Sequence, residues 1–264
     1  MTICKHYVNG SCTKHNCRYQ HIDHICRHHF FGTCRRTKCP LSHQYKFAKK
    51  QNTESFTPSH TQADMRIMWG ESTDFDYRHD YGPRDVILVP HLLADVSVVG
   101  DVYTTLLDEM KQCQSEEVWK LWHGDTHWIA DDHRKWKSMC PTFTIVVDKL
   151  QHYFRMDVKA TRLNWYRDTS EWKPFHHDAA AVDEKKAKTQ NMTIGISFGA
   201  TRDVTFEHAT TKTTVTIPLS NGITYGFGSQ VNLNWRHGIP QEKEVKNEGR
   251  ISIILWGWVN MNEK

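Results

Sequence analysis

The chain has 264 residues, 38% of them hydrophobic and 24% charged, with 10 tryptophans and a net charge of +4. That length suits one sizeable domain with a small appendage, and the tryptophan content supports a real globular core. No apolar run approaches the ~20 residues of a membrane span and no secretory leader opens the sequence, so the expectation is a soluble intracellular protein, nuclear or cytoplasmic.

Charge and cysteine are both concentrated at the start. Residues 1–50 carry ten Lys or Arg against one acid, Asp23, a local charge of +9 that leaves −5 for the remainder. A basic head on a mildly acidic body predicts that a polyanion meets the head first. Six of the eight cysteines fall within the first 39 residues, and without a targeting signal for an oxidising compartment, metal binding explains them better than disulfides.

The head is an internal repeat. Cys4, Cys12, Cys17 and His21 recur 22 positions later as Cys26, Cys34, Cys39 and His43, both units reading C-x7-C-x4-C-x3-H with a glycine two residues before the second cysteine, Gly10 and Gly32. Three thiolates and one imidazole close a tetrahedral shell around Zn2+, so two structural zinc ions are expected. The pattern resembles a tandem CCCH zinc finger over residues 4–43, a family that commonly binds single-stranded RNA and in some members protein. On that resemblance Tyr7, Tyr19, Phe30 and Phe31 either stack on unpaired bases or pack against the zinc core. A module this small should unfold without its metal.

Residues 47–83 are polar and irregular and read as a linker between the finger module, 1–46, and a larger domain, 84–264; Met65, Ile67, Met68 and Trp69 form an apolar island within it. Val86–Val89 predicts a buried strand, and Val99, Val102, Leu106 and Met110 recur at helical spacing. Between Trp119 and Trp136 four tryptophans sit among polar residues, either as a substrate-facing lid or as ordinary packing. Thr142–Val147 predicts a strand and Asp148–Phe154 a short helix or turn. Strands are expected at Thr161–Tyr166, Met192–Phe198, Val204–His208, Thr214–Leu219 and Ile223–Phe227, the last two joined by a Ser220-Asn221-Gly222 turn. The charged segment 179–190 reads as a solvated connection, with gating or nucleic-acid contact as the alternative. Many short strands joined by turns indicate a mainly β domain with flanking helices, a jelly-roll or double-stranded β-helix.

Chemistry concentrates at Pro174-Phe-His-His-Asp178. In extended backbone His176 and Asp178 point to the same side; with His237 downstream they make two histidines and a carboxylate, the facial triad of non-haem Fe(II) oxygenases. Arg250 opens an apolar strand, and its planar fork suits a carboxylate; Ser252 shares its face, whereas Ile251, Ile253 and Leu255 face the other way. The ordered set Asn164-Trp-Tyr166, His176-x-Asp178, His237 and Arg250-x-Ser252 resembles the AlkB-like 2-oxoglutarate and Fe(II) dependent dioxygenases over residues 84–264.

That resemblance implies Fe(II) on His176, Asp178 and His237, and 2-oxoglutarate on Arg250 and Ser252 with help from Asn164 and Tyr166. With O2 it implies hydroxylation of a substrate C–H bond. The reading is oxidative demethylation of N-alkylated nucleic-acid bases, most of all in RNA, with the fingers as tether. Alternatives are RNA-base or protein hydroxylation by the same chemistry, or a non-catalytic CCCH RNA-binding adaptor. One departure stands out: Trp256 occupies the place, six residues after the first arginine, where many AlkB-like enzymes carry a second.

Overall fold

The computed structural model describes residues 3–45, 63–71, 81–94, 101–113, 118–122, 126–132 and 134–261. Most of the expected linker, with Val99, lies outside them. The chain divides into two units, Met1–His60 and Thr61–Lys264.

In the first unit the sequence repeat is a structural repeat. Single helical turns α1 (Lys5–Val8) and α2 (Arg27–Phe30) start directly after Cys4 and Cys26, which take the N-cap positions. Bridges Ile3–Gln20 and Ile25–Ser42 occupy equivalent places in the two repeats. Gly10 and Gly32 have φ of +76° and +79°, a left-handed conformation that glycine adopts without a Cβ penalty, which explains their recurrence. Among the described residues of this unit only Cys4, Ile25, Cys26 and Phe30 are buried apolar groups, too few to hold a fold without metal.

The second unit is built on strands β1 (Arg66–Trp69), β2 (Asp85–Val89), β3 (Lys120–Leu121), β4 (Trp128–Ala130), β5 (Asp157–Tyr166), β6 (Lys173–His176), β7 (Met192–Gly199), β8 (Arg202–His208), β9 (Thr214–Leu219), β10 (Thr224–Gly228), β11 (Trp235–Ile239) and β12 (Arg250–Trp258). Helices α3 (Val102–Gln112), α4 (Arg134–Lys137) and α5 (Pro141–Phe154) precede β5; α6 (Glu184–Ala187) and α7 (Ser229–Asn234) interrupt the strands that follow. An eight-stranded sheet runs β1-β2-β10-β7-β12-β5-β4-β3, and a four-stranded sheet runs β6-β11-β8-β9.

Alternating strand faces decide the layering. Val86, Leu88, Tyr225 and Phe227 of the large sheet meet Val204, Phe206, Leu219 and Trp235 of the small one. The opposite face of the large sheet, Ile194, Ile196, Ile251, Ile253 and Leu255, is covered by Leu106 and Met110 of α3 and by Phe143, Val146 and Leu150 of α5. The result is the expected double-stranded β-helix with helices on one outer face, and a space between the sheets into which β5, β12, β6 and β11 all project.

Two expectations are corrected. Thr142–Val147 is not a strand; it is the first half of α5, with Pro141 at its start. Its run of β-branched residues favours a strand locally, but Phe143, Val146, Leu150 and Phe154 are buried along one helical stripe, and packing on the sheet overrides propensity. Arg66–Trp69, inside the expected linker, is a strand parallel to β2. Its anchor is a fork of two 2.7 Å hydrogen bonds from Arg66 to Asp85, a long-range pair that no local period announces.

Candidate active site

His176 ends β6, and Asp178 lies just past the ladder. Its backbone stays extended, φ −69° and ψ 153°, so the alternation carries on and the carboxylate falls on the same side as the His176 ring. Asn232 of α7 holds this stretch: the Asp178 N–H donates to Asn232 Oδ1 at 2.8 Å and Asn232 Nδ2 donates to the Asp178 carbonyl at 3.3 Å. His237 stands opposite His176 in the β6–β11 ladder, with the register slipping between His237 and Ile239. At Gly238 a Cβ would lie 2.6 Å from the Lys173 carbonyl, so only glycine allows this approach.

The three side chains converge. Both imidazole Nε2 atoms lie 3.8 Å from Asp178 Oδ1, and one potential ligand atom from each residue lies within 4.8 Å of the others. The Pro174 carbonyl, 3.0 Å from His176 Nδ1, accepts its proton and leaves Nε2 as the free donor pair. Thr193 Oγ1 donates to Asp178 Oδ2 at 2.7 Å, so Oδ1 is the oxygen turned to the histidines. Burial holds both imidazoles well below their usual range and therefore neutral. Burial pushes the Asp178 carboxyl up, but its polar surroundings, the Lys173 ammonium among them, outweigh that and keep it ionised. Neutral imidazoles and a carboxylate are the ligating forms, and three ligands grouped on one side leave positions open, so the donor set fits a non-haem iron.

Beside this cluster, a polar pocket between the sheets is lined by Asn164, Tyr166, Lys173, Tyr225, Arg250 and Ser252. Arg250 is 1% exposed; its Nε donates to Ser197 Oγ at 2.8 Å, while Nη1 and Nη2 meet no hydrogen-bond acceptor. A buried guanidinium with two idle donors is costly, and a carboxylate is the group its fork fits. Asn164 Nδ2 donates to Ser252 Oγ at 3.1 Å, and Asn164 Oδ1 lies 3.3 Å from His127 Nε2. His127 in turn stacks on Tyr166, centroids 4.6 Å apart at 8°. The pocket thus fits a carboxylate co-substrate.

His127 is fully buried, and burial pulls it down to about 3; it braces Asn164 and Tyr166. Sequence reasoning missed Lys173, Thr193, Ser197 and Asn232. Only Lys173 carried a signal, a charged residue opening a strand that ends in a candidate ligand.

On the other side of the cluster lies an open pocket of about 480 Å³, whose walls include Trp122, Asp131, Arg162, His177, Lys186 and Trp256. Trp122 sits 5.4 Å from the His176 ring. Other tryptophans of that stretch pack: Trp136 is 2% exposed and edge-on to Phe143, and Trp119 lies against Trp165 at 5.2 Å. Trp256 and Asp178 border both pockets, and the Arg162 guanidinium sits 5.4 Å from the Trp256 ring. Through Lys186 the segment 179–190 contributes to the pocket wall.

In the first unit, Cys4, Cys12, Cys17 and His21 form one compact group and Cys26, Cys34, Cys39 and His43 another, each within 4.8 Å. The His29 N–H bonded to Cys26 Sγ helps bring that thiol down to about 7, toward the thiolate that zinc needs. Tyr7 stacks on His21 at 4.0 Å and donates its hydroxyl to Asp23 at 2.6 Å; His29, at the equivalent place, stacks on His43 at 4.0 Å. Phe30 is buried, whereas Tyr19 and Phe31 are 39% and 40% exposed. Packing therefore claims Tyr7 and Phe30, and Tyr19, with Arg18 4.9 Å from its ring, faces outward along with Phe31.

A profile of the 2OG-Fe(II) oxygenase superfamily matches residues 105–255, more than half of the chain. A solved structure of OsALKBH1 aligns over 58% of this chain and 93% of that one, at 12% identity and a TM-score of 0.41. No curated protein matches the sequence. Among the described residues no helix is long and apolar enough to cross a membrane.

Proposed function

The chain belongs to the 2OG-Fe(II) oxygenase superfamily, and from that premise we propose that this dioxygenase removes N-alkyl groups from nucleic-acid bases, RNA above all, with the zinc module as tether. Bound together, Fe(II), 2-oxoglutarate and O2 supply the oxidation: the 2-oxo acid leaves as succinate and CO2, and one oxygen atom enters a substrate C–H bond. His176, Asp178 and His237 hold the metal. Arg250 receives the distal carboxylate of 2-oxoglutarate, with Ser252 and Asn164 on the same wall and Tyr166 beneath the guanidinium. If the oxidised carbon is a methyl on a base nitrogen, the N–CH2OH product collapses to formaldehyde and the free N–H.

The observation that carries the reading is the open pocket beside Asp178. Its size suits one small planar ligand, Trp122, His177 and Trp256 supply rings for stacking, and Asp131 and Arg162 supply polar groups for a base edge. A base reaches such a pocket when it is unpaired or flipped from a duplex. The head's charge of +9, with Tyr19 and Phe31 exposed, supports single-stranded RNA as the tethered partner.

The test is anaerobic reconstitution with Fe(II), followed by succinate and formaldehyde assays on methylated RNA and DNA oligonucleotides, with His176→Ala and Arg250→Ala as controls. Formaldehyde that depends on both residues and on one methylated base supports demethylation. Succinate without formaldehyde shifts the reading to hydroxylation of a base or a protein side chain.

A further inference from the structure

Lys173 opens β6 three residues before His176 and is only 9% exposed. It lines the same pocket as Arg250. Its Nζ lies 5.0 Å from the Trp122 ring centroid, and among the described residues it makes no ion pair. Asp178, the acid of this pocket, is already engaged: Oδ1 faces the two histidines and Oδ2 accepts from Thr193.

Two buried cations thus share one pocket, Arg250 with two terminal nitrogens lacking an acceptor and Lys173 without an ion pair among the described residues, and a buried charge without a partner is expensive. Among the described residues no other cation lines this pocket. Arg202, also buried, is bound to Glu242 at 3.0 Å and to the Glu171 and Pro240 carbonyls. Arg162 is paired with Asp131 and lines the other pocket. The wall shared by the two pockets carries the neutral indole of Trp256. A ligand that satisfies both cations is negative at two ends, and the ends are distinguishable. Arg250 lies on the large sheet and presents a fork; Lys173 lies on the strand that carries His176 and presents a point charge at the metal side.

Resting on the co-substrate assignment above, we propose that Lys173 binds the carboxylate of 2-oxoglutarate next to its keto group, while Arg250 binds the distal one. Lys173 then fixes the end of the co-substrate that faces the metal.

The assignment is tested by calorimetry on the full chain saturated with Mn(II), comparing 2-oxoglutarate with 2-oxopentanoate, which lacks the distal carboxylate. Lys173→Met is expected to weaken both ligands by the same factor, about tenfold to a hundredfold for loss of a charge-assisted bond, and to leave their ratio unchanged. Arg250→Met should instead collapse the ratio. Weakening of 2-oxoglutarate alone by Lys173→Met would place the lysine on the distal carboxylate and overturn the assignment, as would unaltered binding of both. Should the Met variant fail to give a cooperative melt, Lys173→Gln makes the same comparison. Failure of the unmodified protein to bind 2-oxoglutarate would instead overturn the co-substrate reading beneath it.

Discussion

His176 and His237 stand opposite each other in the β6–β11 ladder and present Nε2 to one oxygen, Asp178 Oδ1, at the same distance of 3.8 Å. Their separation is set by backbone pairing. Asp178 lies beyond the ladder, so its position depends on side chains from two other elements, Thr193 of β7 and Asn232 of α7.

Removing the Thr193 hydroxyl should therefore loosen the carboxylate without disturbing the ladder. Thr193→Val is close to isosteric and leaves Asp178 Oδ2 buried without its donor. Metal affinity is expected to fall ~10–100-fold, the usual effect of losing a partner that orients a ligand, read by titration with Fe(II) or Mn(II). An unchanged affinity would mean that Asn232 alone positions Asp178.

His127 gives the fold a pH dependence of known sign. Burial lowers its pKa from 6.5 to about 3, so between those values the unfolded chain binds a proton that the folded chain does not. Stability from this group is complete above pH 6.5 and is lost as pH falls, by ~2 kcal/mol at pH 5 for one such group. His127→Gln should flatten the decline in melting temperature between pH 7 and pH 5; parallel curves for the two proteins would refute it.

Metal removal should melt the finger module alone. All ten tryptophans lie beyond residue 60, so their fluorescence reports only on the second unit, while amide exchange at residues 3–45 reports on the first. On chelation of zinc, exchange protection in the finger module should vanish with tryptophan emission unchanged, because the metal supplies most of that module's folding energy. Retained protection would show that its few buried side chains suffice.

The exposed and packed aromatics of the fingers should separate in RNA binding. Tyr19→Ala and Phe31→Ala are each expected to weaken single-stranded RNA by ~1–3 kcal/mol if a base stacks there. Tyr7→Phe, which removes the bond to Asp23 but leaves the ring on His21, should leave RNA affinity near its original value. Fluorescence polarisation with a labelled oligonucleotide distinguishes the two groups.

Sequence alone determined the features fixed within a few residues along the chain. The cysteine and histidine spacing of the repeat, the glycines that take positive φ, the same-side projection of His176 and Asp178, and the alternation of Arg250 and Ser252 with Ile251 and Ile253 all follow from local backbone geometry. The double-stranded β-helix was legible for the same reason, since short alternating strands follow one another through its second half, although the Ser220-Asn221-Gly222 turn carries the chain from β9 in one sheet to β10 in the other instead of closing a hairpin. Only the tertiary structure decided what depends on partners distant in sequence. It turned the β-branched run at 142–147 into a helix by giving its apolar stripe a sheet to cover, and paired Arg66 with Asp85 to make a strand of a presumed linker. Of four finger aromatics it left two exposed. It also placed Lys173, Thr193 and Asn232 around the ligand cluster, because sheet pairing and helix docking bring together residues whose separation along the chain carries no periodic signal.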